Sequence, residues 1–149
     1  MSVRVQTGPF DAQAEADALR AGDLEVGAVV TFVGTVRDLN DGDAVATLEL
    51  EHYPGMTEKA LTTIVDEARA RFDVRGVRVI HRVGLLAPGD PIVLVVVTGR
   101  HRGDAFDACR FVMDYLKTRA PFWKRERTPE GERWVEARAA DDEAAERWR

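Results

Sequence analysis

At 149 residues the chain has the length of one ordinary domain, and its 45% hydrophobic and 32% charged content is that of a folded globular protein, not of a disordered one. Twenty-one basic against twenty-six acidic side chains leave a net charge of -5, which excludes attraction of nucleic acid or an anionic membrane by the whole surface but leaves room for a local basic patch. The longest apolar run, Ile92 to Val97, is far short of a membrane span, and a lone Cys109 with histidines at 52, 81 and 101 offers neither a disulfide nor a metal-ligand spacing.

Asp11 to Ala21, rich in alanine and acidic residues, predicts a surface helix stopped by Gly22. Val26 to Val36 is β-branched and predicts a strand, with a bulge or close backbone approach near Gly34. Asn40-Asp41-Gly42-Asp43 is a turn signal, and Ala44 to His52 alternates as the return strand of a hairpin that leaves Arg37 in a loop. Pro54 to Phe72 carries Ala60, Leu61, Ile64, Val65, Ala68 and Phe72 at helical spacing. Val77 to Arg82 alternates as a strand, and the Pro88-Gly89-Asp90-Pro91 turn leads to Ile92 to Thr98, whose unbroken apolar character implies a central strand buried on both faces. Gly103 to Thr118 predicts a helix with Ala105, Cys109, Val112 and Leu116 on one stripe, ended by Pro121. Phe122 to Arg127 and Arg133 to Ala137 predict short strands around Thr128-Pro129-Glu130-Gly131, and the tail over 139–149 reads as a short acidic helix or a frayed end. The mixture, without strict alternation or repeat, predicts a single α+β domain over 1–149, a mostly antiparallel sheet with helices packed on one side.

The opening Met1-Ser2-Val3-Arg4-Val5-Gln6 lacks the apolar stretch of a secretory signal, so a cytoplasmic location is expected. Ser2 is the only serine, and neither a phosphate loop ending in Gly-Lys-Ser/Thr nor Gly-x-Gly-x-x-Gly occurs, so serine-hydrolase and common nucleotide-binding chemistry are excluded.

Lysine usage singles out one region. Eighteen of the basic residues are arginine, and the three lysines are Lys59, Lys117 and Lys124. An amine can lose its proton, act as acid or base, or attack a carbonyl, which a guanidinium cannot, so the pair at 117 and 124 marks a candidate site; the plainer reading is a solvated helix end, which cations suit. Residues 117 to 127 carry a net charge of +4 against -9 for the other 138, which fits a local anion site. Phe122 or Trp123 could stack on a bound ring, although one of the two belongs to the core on an ordinary strand. Arg100-His101-Arg102 follows the buried strand and opens a helix, where free backbone amides favour an anion, and His101 between two arginines suits a neutral, proton-shuttling role. His52 and His81 read as structural, Cys109 as a small buried hydrophobe, and Lys59 as surface. Arg37, His101, Arg102, Lys117 and Lys124, brought together, would suit a compact phosphorylated substrate.

Several stretches resemble a known family. His52-Tyr53-Pro54-Gly55-Met56, Phe32-Val33-Gly34-Thr35-Val36-Arg37, Thr98 through His101-Arg102, Gly131 to Ala137, and above all Asp114 through Pro121-Phe122-Trp123-Lys124-Arg125-Glu126 are similar to the large, catalytic subunit of molybdopterin synthase, the MoaE family, over residues 25 to 138. The resemblance implies an α/β hammerhead-type domain that forms a homodimer within a heterotetramer, with a small ubiquitin-like sulfur carrier docked at each end. It implies sulfurtransferase activity: the carrier's C-terminal Gly-Gly thiocarboxylate gives up two sulfurs to cyclic pyranopterin monophosphate to form the dithiolene of molybdopterin, with no metal or cofactor. It places catalytic function on Lys117 and Lys124, pterin-phosphate contacts on Arg37, His101 and Arg102, and further pocket positions on Thr35, Val36, Arg125 and Glu126. Arg100 departs from the family, whose residue there is usually small, and bears on the pocket rim. The alternative expectation is a non-catalytic module that holds a phosphorylated metabolite or a partner's tail in the same basic patch.

Overall fold

The computed structural model describes residues 2–40, 43–44, 47–135 and 139–149. Asp41 and Gly42 of the expected turn, and Glu136 and Ala137 of the last expected strand, lie outside the described residues. The elements in order are β1 (Val3–Gln6), α1 (Ala12–Arg20), β2 (Ala28–Thr35), β3 (Leu39–Asn40), β4 (Asp43–Ala44), β5 (Thr47–His52), α2 (Met56–Arg71), β6 (Gly76–Arg82), β7 (Gly84–Leu86), β8 (Pro91–Gly99), α3 (Arg102–Arg119), β9 (Phe122–Thr128), β10 (Gly131–Val135) and α4 (Ala139–Glu146). They build one four-stranded sheet in the order β1-β6-β8-β2, a second in the order β10-β9-β5-β7, and a two-stranded ribbon β3-β4. Among the described residues only the β1–β6 pairing is parallel, so the architecture is the mixed, mostly antiparallel α+β class the pattern predicts.

β8 is the central strand, flanked by β6 and β2, and it is buried from Ile92 to Gly99. Its side chains alternate between two cores. Val93, Val95 and Val97 join Leu61, Ile64, Val65, Phe111 and Val112 in the main core under α2 and α3, whereas Leu94 and Val96 pack with Ile80 and Ala16 beneath α1. This two-sided burial is why the strand reads as an unbroken apolar run. It also corrects the expectation of helices on one side: α1 covers the opposite face, held by Glu15, which pairs with Arg78 at 2.9 Å and with Arg4.

The expected hairpin is corrected as well. β2 pairs with β8 and β5 pairs with β9 and β7, so the strands flanking the Asn40–Asp43 signal go to different sheets, and only the short β3–β4 ribbon closes there. Turn chemistry is local, but the partner of a half-buried strand is chosen by where its apolar face finds a core. Gly34 does mark a register shift and a close approach, since a Cβ there would lie 2.7 Å from a Val93 methyl. Gly27 is tighter still, with the Arg100 carbonyl oxygen 2.3 Å from where its Cβ would be. The tail is tied down: Ala145 is buried, Trp148 packs edge-on against Phe72 and Phe111, and its indole N–H donates to Asp114 at 2.6 Å.

Candidate functional site

The antiparallel registers bring one end of several elements together. The C-terminal ends of β2 and β6 pair with the N-terminal part of β8, with both Gly34 and His81 opposite Val93. α3 leaves β8 at its other end and runs back along the sheet, so the C-terminal turn of α3 returns to the same place. There β9 enters the second sheet, and a pocket of about 460 Å³ opens between the two sheets.

Thr35, Val36, Arg37, Lys117, Lys124 and Glu126 all line this pocket, with Phe32, Met113, Phe122, Val135 and Asp141 among the other lining residues. Lys117 lies in the last turn of α3, exposed, and Lys124 follows on β9 across the Pro121 corner. That corner is fixed from α2: the buried Thr57 hydroxyl donates to the Pro121 carbonyl at 3.0 Å and accepts from the Tyr53 N–H at 2.9 Å. The segment before Arg37 is clamped too, since Val36 donates to the Asp90 carbonyl at 2.9 Å and accepts from the Gly89 N–H at 2.7 Å. A side-chain clamp and a backbone clamp thus fix the segments next to the lysines and the arginine. Glu126 is buried and accepts from Arg133 at 3.2 Å.

Three expected residues do not join this pocket. His101 and Arg102 are exposed at the N-terminal end of α3, and a fifteen-residue helical rise separates Arg102 from Lys117 by about 22 Å. No single copy brings the two clusters onto one small substrate. Arg125 points to the opposite face of β9 from Lys124, where it pairs with Glu49 at 3.4 Å and Glu51 at 3.2 Å and lies over the Trp134 ring at 5.1 Å. Strand alternation decides this: Phe122, Lys124 and Glu126 face inward, whereas Trp123, Arg125 and Arg127 face outward. Arg100 pairs with Asp73 at 3.4 Å and Glu25 at 3.3 Å and does not line this pocket.

The sequence reading missed a polar residue buried in the pocket wall. His81, expected to be structural, is 4% exposed and lines the pocket, with its ring stacked on Phe122 at 3.9 Å. Burial, reinforced by the charges of Lys124, Lys117 and His52, pushes its pKa down to about 3, against the raising effect of its bond to the Arg82 carbonyl. The signal was faint: a histidine in place of a valine or isoleucine at an inward position of a buried strand. Cys109 is buried as expected, and desolvation pushes its thiol up to about 11, which keeps it protonated.

Fold and site together define a class: a small α+β protein in which two amines and an arginine line a pocket at the seam between two sheets. The comparisons make the class specific. Residues 5–119 match the family described as MoaE protein. The chain is 60% identical over 147 residues, 99% of its length and 84% of the relative's, to a protein of Ralstonia nicotianae named molybdopterin synthase catalytic subunit. A solved Burkholderia ambifaria structure, described as a molybdopterin biosynthesis MoaE protein, is 58% identical with a TM-score of 0.85 and covers 99% of this chain and 97% of its own. A Helicobacter pylori chain, solved as a protein–protein complex of subunits 1 and 2 of molybdopterin-converting factor, shares the fold at 21% identity with a TM-score of 0.75, covering 93% of this chain and 92% of its own. The chain belongs to the MoaE family.

Proposed function

We infer that the chain works as the catalytic, sulfur-transferring subunit of a molybdopterin synthase in molybdenum cofactor biosynthesis. The observation that carries the reading is that Lys117 and Lys124, two of only three lysines, line one pocket opposite Arg37 in a chain 60% identical to a catalytic subunit. The substrate is cyclic pyranopterin monophosphate and the sulfur donor a small ubiquitin-like carrier ending in a Gly-Gly thiocarboxylate, both acting in the cytoplasm. In each transfer the thiocarboxylate sulfur bonds to a pterin side-chain carbon as a carbon–oxygen bond at that carbon breaks, the oxygen leaving on phosphate when the cyclic phosphate opens and as water in the other transfer. A water molecule then cleaves the carbonyl–sulfur bond and returns the carrier as a carboxylate. Lys117 moves a proton or stabilises charge at the thiocarboxylate carbon, and Lys124 supports the developing oxyanion. Arg37 holds phosphate by forked hydrogen bonds.

His101 and Arg102 contribute through a second copy of the chain, as a homodimer within a heterotetramer. The separation along α3 supports this, and so does the first turn of that helix, which has no side-chain cap on its amides. In that arrangement Arg102 grips phosphate and His101 moves the proton as phosphate leaves carbon. The pairing is tested by mixing inactive Lys117→Ala and Arg102→Ala proteins under exchange: a shared site regains activity in the mixed dimers, and a mixture as inactive as its parents overturns the pairing.

The function itself is tested by incubating the protein with a thiocarboxylated carrier and cyclic pyranopterin monophosphate and assaying dithiolene pterin. Product that requires both components supports the reading. A bound carrier with intact substrate and no product overturns it.

A further inference from the structure

Lys117 and Lys124 stand on different elements, and the corner between them sets one against the other. Ala120 leaves α3 with extended backbone, Pro121 has no N–H to give to helix or sheet, and the Phe122 N–H turns back onto the Ala120 carbonyl at 3.0 Å. Lys117 lies four residues before the proline and Lys124 three after it, so a rotation of the corner moves both amines. The Pro121 carbonyl is held by Thr57, a residue with no exposed surface in the first turn of α2. The partners of the Thr57 hydroxyl fix its bonding roles. The Tyr53 N–H only donates, so Oγ1 accepts from it at 2.9 Å, and the single hydroxyl proton is committed to the Pro121 carbonyl at 3.0 Å. The Thr57 N–H in turn donates to the Tyr53 carbonyl at 2.9 Å, and Gly55, at a φ of +84°, lets the chain fold back between the two. From there the anchorage runs into β9, because His52 pairs with Phe122 and the Tyr53 ring lies 5.7 Å from that of Trp123.

We propose that Thr57 is a positioning residue for sulfur transfer, its buried hydroxyl holding the Pro121 carbonyl and thereby setting Lys117 and Lys124 relative to each other across the corner. This rests on the reading of those two lysines as the amines of the sulfur-transfer site. A threonine hydroxyl ordinarily bonds backbone groups within its own turn or the adjoining loop. Thr57 does so with Tyr53, but it also sends its proton to a residue 64 positions further on, in the short link between the two lysines. Valine would fill the same space and make neither bond, so shape alone does not account for the hydroxyl. The demand for it comes from the lysines, since displacing a reacting group by about 1 Å can slow a reaction by about 10^2-fold, and the corner lies within four residues of each amine.

Three variants test this. Thr57→Val keeps the shape and removes both bonds, Thr57→Ala removes both bonds and carries the same test should the valine variant fold poorly, and Thr57→Ser keeps both bonds. Each is assayed in single-turnover sulfur transfer with saturating thiocarboxylated carrier and cyclic pyranopterin monophosphate, well below its melting temperature. The Val or Ala variant should transfer sulfur about tenfold or more slowly while binding the carrier as wild type does, and the Ser variant should stay within about twofold of the wild-type rate. A second readout needs no turnover: residual dipolar couplings of the backbone N–H groups over 117–124 in 15N-labelled protein report the angle between α3 and β9. They should change in the Val or Ala variant and return to wild type in the Ser variant. A purely structural hydroxyl would lower the melting temperature and leave both the rate and the couplings of the folded variant unchanged, and either of those unchanged results overturns the proposal. Wild-type protein that binds the carrier and forms no product would sink the sulfur-transfer reading instead, and the couplings would still decide whether the hydroxyl sets the corner.

Discussion

In the sheet β1-β6-β8-β2 the central strand β8 is apolar on both faces, whereas β10-β9-β5-β7 buries Leu48, Leu50 and Leu86 on one face and carries Glu49, Glu51, Arg125, Arg127 and Glu132 in cross-strand ion pairs on the other. The first sheet holds the molecule together and supplies few polar groups to the pocket. The second contributes little core but brings Lys124 and Glu126 to the seam. Stability and chemistry are thus divided between two sheets that touch, and the seam is where a rigid wall meets a charged one. His81 lies on that boundary, a polar residue set into the apolar sheet.

The division can be broken most severely in the first sheet. Leu94→Ala, at a position with no exposed surface beneath α1, should lower the unfolding free energy by about 2–5 kcal/mol in urea titrations, and a loss well under that would mean that β8 is not the keel of the fold. The boundary residue gives a pH-gated effect. His81 binds a proton in the folded state only near pH 3 but with an ordinary value of 6.5 when unfolded, so its contribution is complete above about 6.5 and is lost as pH falls toward 3. Stability should therefore decline by about 1.4 kcal/mol per pH unit below pH 6, and His81→Phe should flatten that decline. Carboxylates held low by arginines, such as Glu15 and Asp23, add their loss only at more acidic pH. The second sheet should be least sensitive: Glu132→Gln removes exposed partners of Arg125 and Arg127 and should leave the melting temperature and turnover unchanged, because such pairs are screened by water.

What the sequence disclosed divides along the same line. The buried run of β8 and the helical stripes of α2 and α3 were readable because one face or both faces meet a core, and that leaves a period in the chain. β1 and β7 left no such signal: four and three residues long, they gain their status from pairing with β6 and β5. The lysine pair was legible as chemistry because lysine is scarce here, and the structure brings both to one pocket. The resemblance put Arg125 in the pocket with Lys124, whereas strand alternation sends the two neighbours to opposite faces of β9. His101 and Arg102 are correctly at a helix start, yet a helix long enough to cross the domain carries them away from Lys117. Distance in space along a helix is legible from its length.

The most direct test of the account is single-turnover sulfur transfer by Lys117→Arg, which keeps the charge and removes the amine's chemistry. Lys117 is exposed, so the variant should fold and bind the thiocarboxylated carrier as wild type does, while forming dithiolene pterin about 10^3-fold more slowly. Wild-type turnover in Lys117→Arg would contradict it, leaving Lys117 as a holder of charge only.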